Sequence, residues 1–338
     1  MKENFMKQYS HYLSKPLRLL AIAVGVAATS GAAHAQSTIS FIGTVRDFLY
    51  ANTPSGTYNG NMGMGHPDFE NTGDFGVKTN LVQQTLTNPT GASNATLLTD
   101  TNARFATGIL ANNNYSGAGA SNTNVGPTLS SASNFSQWYT NTPGVNVLSG
   151  YYTFVASQSA PGVYTYNNQT YFPMNFTQGA DTFTPRNGGG FGTVNADGST
   201  GTGNNFSFTT EIRTNFQYTA SANQSFTYNG DDDVYVYING RLAIDLGGVH
   251  PAANQTINLN TLAGQANNPF ALTDGGTNRL DIFTAERHTT GSTLRIDTNI
   301  PLVAVVPPGF AAVPEAGTLA LLLPGFALVG AVIVRRRK

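Results

Sequence analysis

The sequence predicts an all-β protein: an antiparallel β-sandwich, jelly-roll-like and with long loops, set between an N-terminal signal helix and a C-terminal transmembrane helix. Three observations carry the prediction. Phe206, Phe208, Ile212, Phe216 and Tyr218 all fall on even positions, the alternation of a strand with one buried face. Asn239-Gly240 separates two apolar runs, and both central residues of a type I′ hairpin turn need the positive φ that Asn and Gly tolerate. Short aromatic and β-branched runs recur between Gly- and Asn-rich stretches along the body.

The chain begins with Lys2, Lys7, Lys15 and Arg18 against one acid, Glu3. A small, apolar run from Leu19 to Ala28 follows and closes on Ala33-His34-Ala35. Charged region, short apolar region and A-x-A site together predict a signal peptide over residues 1–35, cut by signal peptidase after Ala35. A buried N-terminal helix is the competing reading, against which stand Gly25, Gly31 and the lack of a polar face.

The body, residues 36–303, opens with a strand over 39–50. His66-Pro67-Asp68-Phe69-Glu70 cannot lie inside a helix, because Pro67 has no amide hydrogen to donate. Residues 85–133 read as a loop-rich insertion anchored by Leu97, Leu98, Ile109 and Leu110. Phe135–Tyr139 suits a short helix carrying Trp138, the only tryptophan. The Gly-rich stretch 186–205 lacks the Lys and the strand–helix context of a phosphate-binding loop. Phe226 and Tyr228 continue the alternation after a polar turn. In a two-residue hairpin Tyr237 then faces Leu242 and Tyr235 faces Ile244, with Val234, Val236, Ile238 and Ala243 on the opposite face. Two apolar faces place this pair inside the sandwich and not at its edge. Ile257/Leu259, Leu280/Ile282 and Leu294/Ile296 give three further strands, and 304–312 is a linker.

The last segment, 313–338, has its own layout. Val313-Pro314-Glu315-Ala316-Gly317 precedes an apolar run from Thr318 to Val334, and the chain ends Arg335-Arg336-Arg337-Lys338. As a helix the run reaches about 25 Å, adequate for a hydrocarbon core, and the basic cluster would stay on the cytoplasmic side. This tail resembles the PEP-CTERM sorting signal, a Pro-Glu-Pro motif followed by a transmembrane run and an arginine cluster; here Ala316 stands at the third motif position. The resemblance implies recognition by an exosortase, a membrane-embedded cysteine peptidase of Gram-negative bacteria that make exopolysaccharide. It implies transient inner-membrane anchoring, then delivery to the cell surface or extracellular matrix. A permanent single-pass anchor is the alternative.

Composition excludes several function classes. Residues 36–312 hold nine basic and sixteen acidic side chains, a net charge of −7, with Lys78 the only lysine. Without clustered positive charge the body is unsuited to nucleic acid. The chain has no cysteine, which removes disulfides, thiolate metal sites and a cysteine nucleophile, and leaves calcium as the natural metal for an exported, carboxylate-bearing protein.

Asp231-Asp232-Asp233 is the densest charge in the body. Adjacent carboxylates repel unless protonated, solvated or neutralised by a cation; a calcium ion, which takes six to eight oxygens, and a merely solvated turn are both open. The run Gly230–Gly240 with Asp245–His250 resembles the core of the fibro-slime domain. Further matches are Val45–Phe48, His66–Glu70, Gln137–Tyr139 with Pro143–Asn146, Phe206–Glu211, and Phe283 through Glu286-Arg287-His288 to Ser292, so the resemblance covers most of 40–300. That domain is in turn similar to the sugar-binding β-sandwich of anthrax-type protective antigen, glycosidases and yeast flocculins. The resemblance implies that two successive aspartates, joined by a cis peptide, hold a calcium that contacts sugar hydroxyls. They fall on Asp231 and Asp232, with Asp233 where a small turn residue often stands and a second contributing loop not locatable from the sequence.

The expected metal set is Asp231, Asp232, Asp233 and Asp245. Glu286 and Asp245 would complete a carboxylate site or form an acid/base pair of glycosidase type, while Glu286-Arg287 also reads as an internal ion pair. His66, His250 and His288 are too scattered for a zinc set. Three functions follow: a non-catalytic surface protein binding extracellular polysaccharide in adhesion or biofilm, a polysaccharide hydrolase, and a ligand-free matrix protein.

Overall fold

The computed structural model describes residues 38–49, 57–58, 61–62, 65–69, 75–88, 92–112, 129–175, 177–186, 204–288 and 291–310. The expected signal segment with Ala33 and Ala35 lies outside the described residues, as do Gly188–Gly190 and the sorting tail with Pro314, Glu315, Ala316, Arg335, Arg336 and Arg337. The chain divides into Met1–Ala35 and Gln36–Lys338, and every described element belongs to the second unit. Among the described residues no helix is long and apolar enough to cross a membrane.

In chain order the elements are β1 (Thr38–Phe48), β2 (Thr57–Tyr58), β3 (Asn61–Met62), α1 (Asn94–Thr99), α2 (Thr101–Phe105), α3 (Ala132–Phe135), β4 (Asn146–Ala160), β5 (Val163–Asn168) and β6 (Thr182–Pro185). Then come β7 (Phe208–Gln217), β8 (Ser225–Gly230), β9 (Asp233–Ile238), β10 (Arg241–Leu246), β11 (Ala253–Asn258), α4 (Leu259–Ala263), β12 (Thr277–Glu286), β13 (Leu294–Thr298) and β14 (Val303–Ala304). The main sheet runs β10-β9-β12-β7-β1-β4-β5-β13-β8-β11, antiparallel throughout. It curls until its two end strands meet, where the Asp245 amide donates to Gln255 Oε1 at 3.3 Å. The result is a sandwich closed almost to a barrel.

Alternation decides what the closed sheet encloses. Phe208, Ile212 and Phe216 of β7 share an inner core with Phe41, Phe154, Phe226, Tyr228, Ile282 and Ile296, and the other alternating pairs point there too. The hairpin needs a correction. Asn239 and Gly240 make the turn with φ of 50° and 80°, and Leu242 faces Tyr237 as expected. A bulge at Ala243 then shifts the register, so that Tyr235 faces Asp245 and Ile244 faces Val236. One extra residue reverses every later side chain on that strand, and Ile244 joins the inner core with Val234, Val236 and Ile238.

The hairpin is also not interior. β10 ends the strand order, and residues 78–85 cover its edge through the Leu242 amide on the Gln84 carbonyl (2.9 Å) and bridges from Lys78 to Gly247 and Thr85 to Arg241. Both faces are apolar for another reason. The sheet's outer face is roofed by residues from 69 to 145, including Phe69, Val82, Ile109, Phe135 and Trp138, which close a second core over Tyr235, Tyr237, Leu242 and Phe283. The 85–133 insertion is therefore structured in its described parts, holding α1 and α2 and contributing Leu86, Ile109 and Leu129 to that core. Trp138 sits in the turn after α3, not in the expected helix, which ends at Phe135.

A chain of buried charges fastens roof to sheet. Arg46 Nη1 meets Glu211 Oε2 at 2.9 Å, Arg213 Nε donates to Glu211 Oε1 at 2.8 Å, and Arg213 Nη1 lies 3.6 Å from Asp281 Oδ1. Arg104, from α2, donates through Nη2 to that same Asp281 oxygen at 2.7 Å. Removing Arg104 takes one cation from buried Asp281 and the donors from its buried partners, so Arg104→Met is expected to cost about 3 kcal/mol or more in urea unfolding. Arg295→Ala, which breaks the partly exposed Arg295–Asp297 pair (2.7 Å), should cost under about 1 kcal/mol. Equal losses in the two variants would contradict the fastening role.

Candidate functional site

At Gly230, the last residue of β8, the neighbouring chain leaves no room for a side chain: an added Cβ would stand 2.6 Å from the Thr293 carbonyl oxygen. That approach brings residues 291–293 against the acidic turn, which passes through a cis Asp231–Asp232 peptide before β9 begins at Asp233. The three successive carboxylates then diverge. Asp231 Oδ1 accepts the Thr293 amide and, at 2.9 Å, the Thr293 hydroxyl. Asp232 is 4% exposed and accepts two backbone amides, His250 on Oδ1 at 3.1 Å and Arg287 on Oδ2 at 3.0 Å. Asp233 turns into the protein, where Oδ1 accepts the Gly248 amide (2.6 Å) and the Tyr235 hydroxyl (2.9 Å) and Oδ2 accepts Arg287 Nε (2.6 Å). Gly248, at a φ of 91°, supplies its amide from a conformation that disfavours other residues.

Asp231 and Asp232 line a surface cleft of about 290 Å³ with Phe75, His250, His288 and Gly291. Asp233 and Asp245 are not among its lining residues. Asp245 stands across from Tyr235 and accepts the Asn80 amide on Oδ2 at 2.8 Å, while its Oδ1 is buried without a hydrogen bond. The structure thus brings two of the four expected ligands together and assigns Asp233 to a buried ion pair. That pair also replaces the expected Glu286–Arg287 bridge, since the Arg287 guanidinium is taken by Asp233.

Electrostatics around the turn are dominated by burial. It pushes the Asp232 carboxyl up to about 8, with the Arg287 cation pulling down and the Asp233 charge pushing up. Burial also raises Asp231 and Asp245. Glu286, 2% exposed, is held well above the usual carboxylate range by burial and then by the nearby Asp232 and Asp231 charges. Ser292 and Asp232 lie beside its carboxyl, but neither of its oxygens makes a hydrogen bond of good geometry. Hard oxygen donors that gain from a nearby cation would suit calcium, and Asp231 and Asp232 are the pair that lines the cleft. Among the described residues no three His, Asp or Glu side chains form a metal shell on their own.

Behind the turn, Arg287 Nη1 donates to the Asp68 carbonyl at 3.0 Å, and the guanidinium lies 4.8 Å from the Trp138 ring centroid. Asp68 takes Trp138 Nε1 on one carboxyl oxygen (3.0 Å) and the Ser130 amide on the other (2.7 Å), and its own amide donates to His66 Nδ1 (3.2 Å). Sequence reasoning did not place the loop 291–293 or the segment 247–250 at the site, although Asp245–His250 and the stretch to Ser292 carry part of the fibro-slime resemblance.

The PA14 domain family matches residues 159–301, from the end of β4 past β13 and including the acidic turn. Two proteins of Dictyostelium discoideum are similar to this chain. Protein psiQ is 39% identical over 184 residues, 54% of this chain and 17% of that protein. Protein psiR is 32% identical over 255 residues, 75% of this chain and 20% of that protein. The chain therefore spans about a fifth of the length of these relatives. A solved PA14 sugar-binding domain from an RTX adhesin is 19% identical and covers 28% of this chain and 47% of that one, with a TM-score of 0.20, too low to bear on the fold.

Burial also sets a prediction for His66, lowered to about 4 chiefly by desolvation. Its Nδ1 accepts a hydrogen bond, as an unprotonated nitrogen does. A depressed folded pKa adds stability above the unfolded value of 6.5 that is lost as pH falls through the folded one. Between pH 6.5 and 4 the chain should lose roughly 3 kcal/mol on this account, and His66→Phe should reduce that loss in urea titrations at each pH. An unchanged acid profile in the variant would contradict it.

Proposed function

We propose that the chain is an exported, non-catalytic surface or matrix protein that binds extracellular polysaccharide in the Asp231/Asp232 cleft with the help of calcium. The observation that carries this reading is the pairing of two adjacent carboxylates in one solvent-facing cleft, within a stretch similar to a PA14 domain. Asp231 and Asp232 would hold the ion, which when bound supplies coordination to sugar hydroxyls. The chain's own residues orient those carboxylates: Thr293 fixes Asp231, and the His250 and Arg287 amides fix Asp232. The fibro-slime resemblance supports the same assignment. The terminal segments support a route in which signal peptidase cuts after Ala35 and an exosortase acts at Pro314-Glu315-Ala316, delivering the body to the surface or matrix for adhesion or biofilm.

Glu286 favours a second reading, glycoside hydrolysis, because a buried carboxyl held well above the usual range beside other carboxyl groups is the pattern of a general acid. Against it, Glu286 is buried and is not among the residues lining the cleft, so it is poorly placed to reach a glycosidic oxygen. Affinity electrophoresis of the full chain through gels of neutral glucan, mannan and an anionic polysaccharide separates these readings. At least one gel should retard the protein, and EDTA or the Asp231→Ala/Asp232→Ala double substitution should abolish the retardation without any release of reducing ends. Retardation indifferent to both treatments, or new reducing ends, would overturn the proposal.

A further inference from the structure

The lining of the cleft also has a part of different chemistry. Phe75 is 56% exposed, unusual for a phenyl ring in this body. Single exposed apolar side chains are ordinary on protein surfaces, but this one is held in place over the acidic turn. Its backbone bridges Val249 in parallel, and the next amide, of Gly76, donates to the Val249 carbonyl at 2.8 Å. The ring stands edge-on to His288, with centroids 5.1 Å apart and an interplanar angle of 89°. Phe75, His288, Val249 and Pro251 line the same cleft as Asp231 and Asp232. The cleft therefore combines aromatic and apolar lining with two carboxylates.

A pyranose has matching chemistry. Its axial C–H groups form an apolar face that carries partial positive charge, suited to the negative face of an aromatic ring. Its equatorial hydroxyls project from the rim toward oxygen ligands. We propose that Phe75, buttressed by His288, is the stacking platform of the cleft, and that its ligand is a neutral hexopyranosyl residue whose hydroxyls reach Asp231 and Asp232. Such hydroxyls are the oxygen ligands an ion held by Asp231 and Asp232 would accept. This assignment rests on the polysaccharide reading above and adds the ligand class and a specificity residue to it.

Titrations of the full chain with methyl β-glucoside, methyl β-galactoside and methyl α-mannoside, followed by saturation-transfer NMR, test it. Phe75→Ala should bind the preferred glycoside about five- to tenfold more weakly, as expected for loss of one aromatic contact. Phe75→Trp should bind it at least as tightly as the wild type, which a purely structural role for Phe75 would not produce. Both variants should keep the wild-type response of the melting temperature to calcium. Undiminished binding by Phe75→Ala overturns the platform and leaves the polysaccharide reading standing. Failure of the wild type to bind any of the three glycosides overturns the neutral-pyranose assignment, and polysaccharide retardation in the gels then decides separately whether the broader reading survives.

Discussion

The buried pair between Asp233 and Arg287 is the contact on which the functional end of this molecule depends. Both side chains are fully buried, and Arg287 touches every layer there. Its amide holds Asp232, its Nε holds Asp233, its Nη1 reaches the Asp68 carbonyl, and its guanidinium lies over Trp138. An ion pair removed from water gains stability only when its remaining donors are also satisfied. Here the Nη1 donor ties the acidic turn of β9 to the Asp68 carbonyl beneath Trp138. The consequence is a division of labour among three consecutive aspartates. Asp233 gives up its charge to the interior, so that Asp231 and Asp232 can stand together at the cleft.

The same economy explains a sheet that is wet on neither face near β9 and β10. The inner core is closed by the curl of the sheet, and the outer core by residues from 69 to 145. That roof is fastened partly by charge, through Arg104 on Asp281 and the Arg287 guanidinium against Trp138. The bulge at Ala243 belongs to this arrangement. It sends Ile244 to the inner core and leaves Asp245 beside Tyr235, where Asn80 of the edge-covering segment can reach it.

Much of the fold was legible in the residues. Strict alternation over 206–218 and the Asn239-Gly240 turn located β7, β9 and β10, because side-chain period and positive φ are local properties. The bulge was not legible, since an extra residue on one strand leaves alternation intact on each side and shows only in the pairing. The roof was not legible either. Its anchors Leu86, Ile109, Leu129 and Trp138 are spread through polar sequence, and their burial follows from the sheet they meet. At the site, adjacency revealed Asp231 and Asp232 as a pair. The fate of Asp233 depended on Arg287, 54 positions away, and on no local pattern.

The central claim is that the frame around Asp232 and Asp233 presents an oxygen site for calcium at the turn. A calcium titration of the full chain, read as melting temperature with Asp231→Ala/Asp232→Ala alongside, tests it most directly. Ligand at a hundredfold excess over its dissociation constant adds about 2.7 kcal/mol, so the account predicts a rise of several degrees in the wild type and none in the double variant. No rise in the wild type, or an equal rise in both, would contradict it.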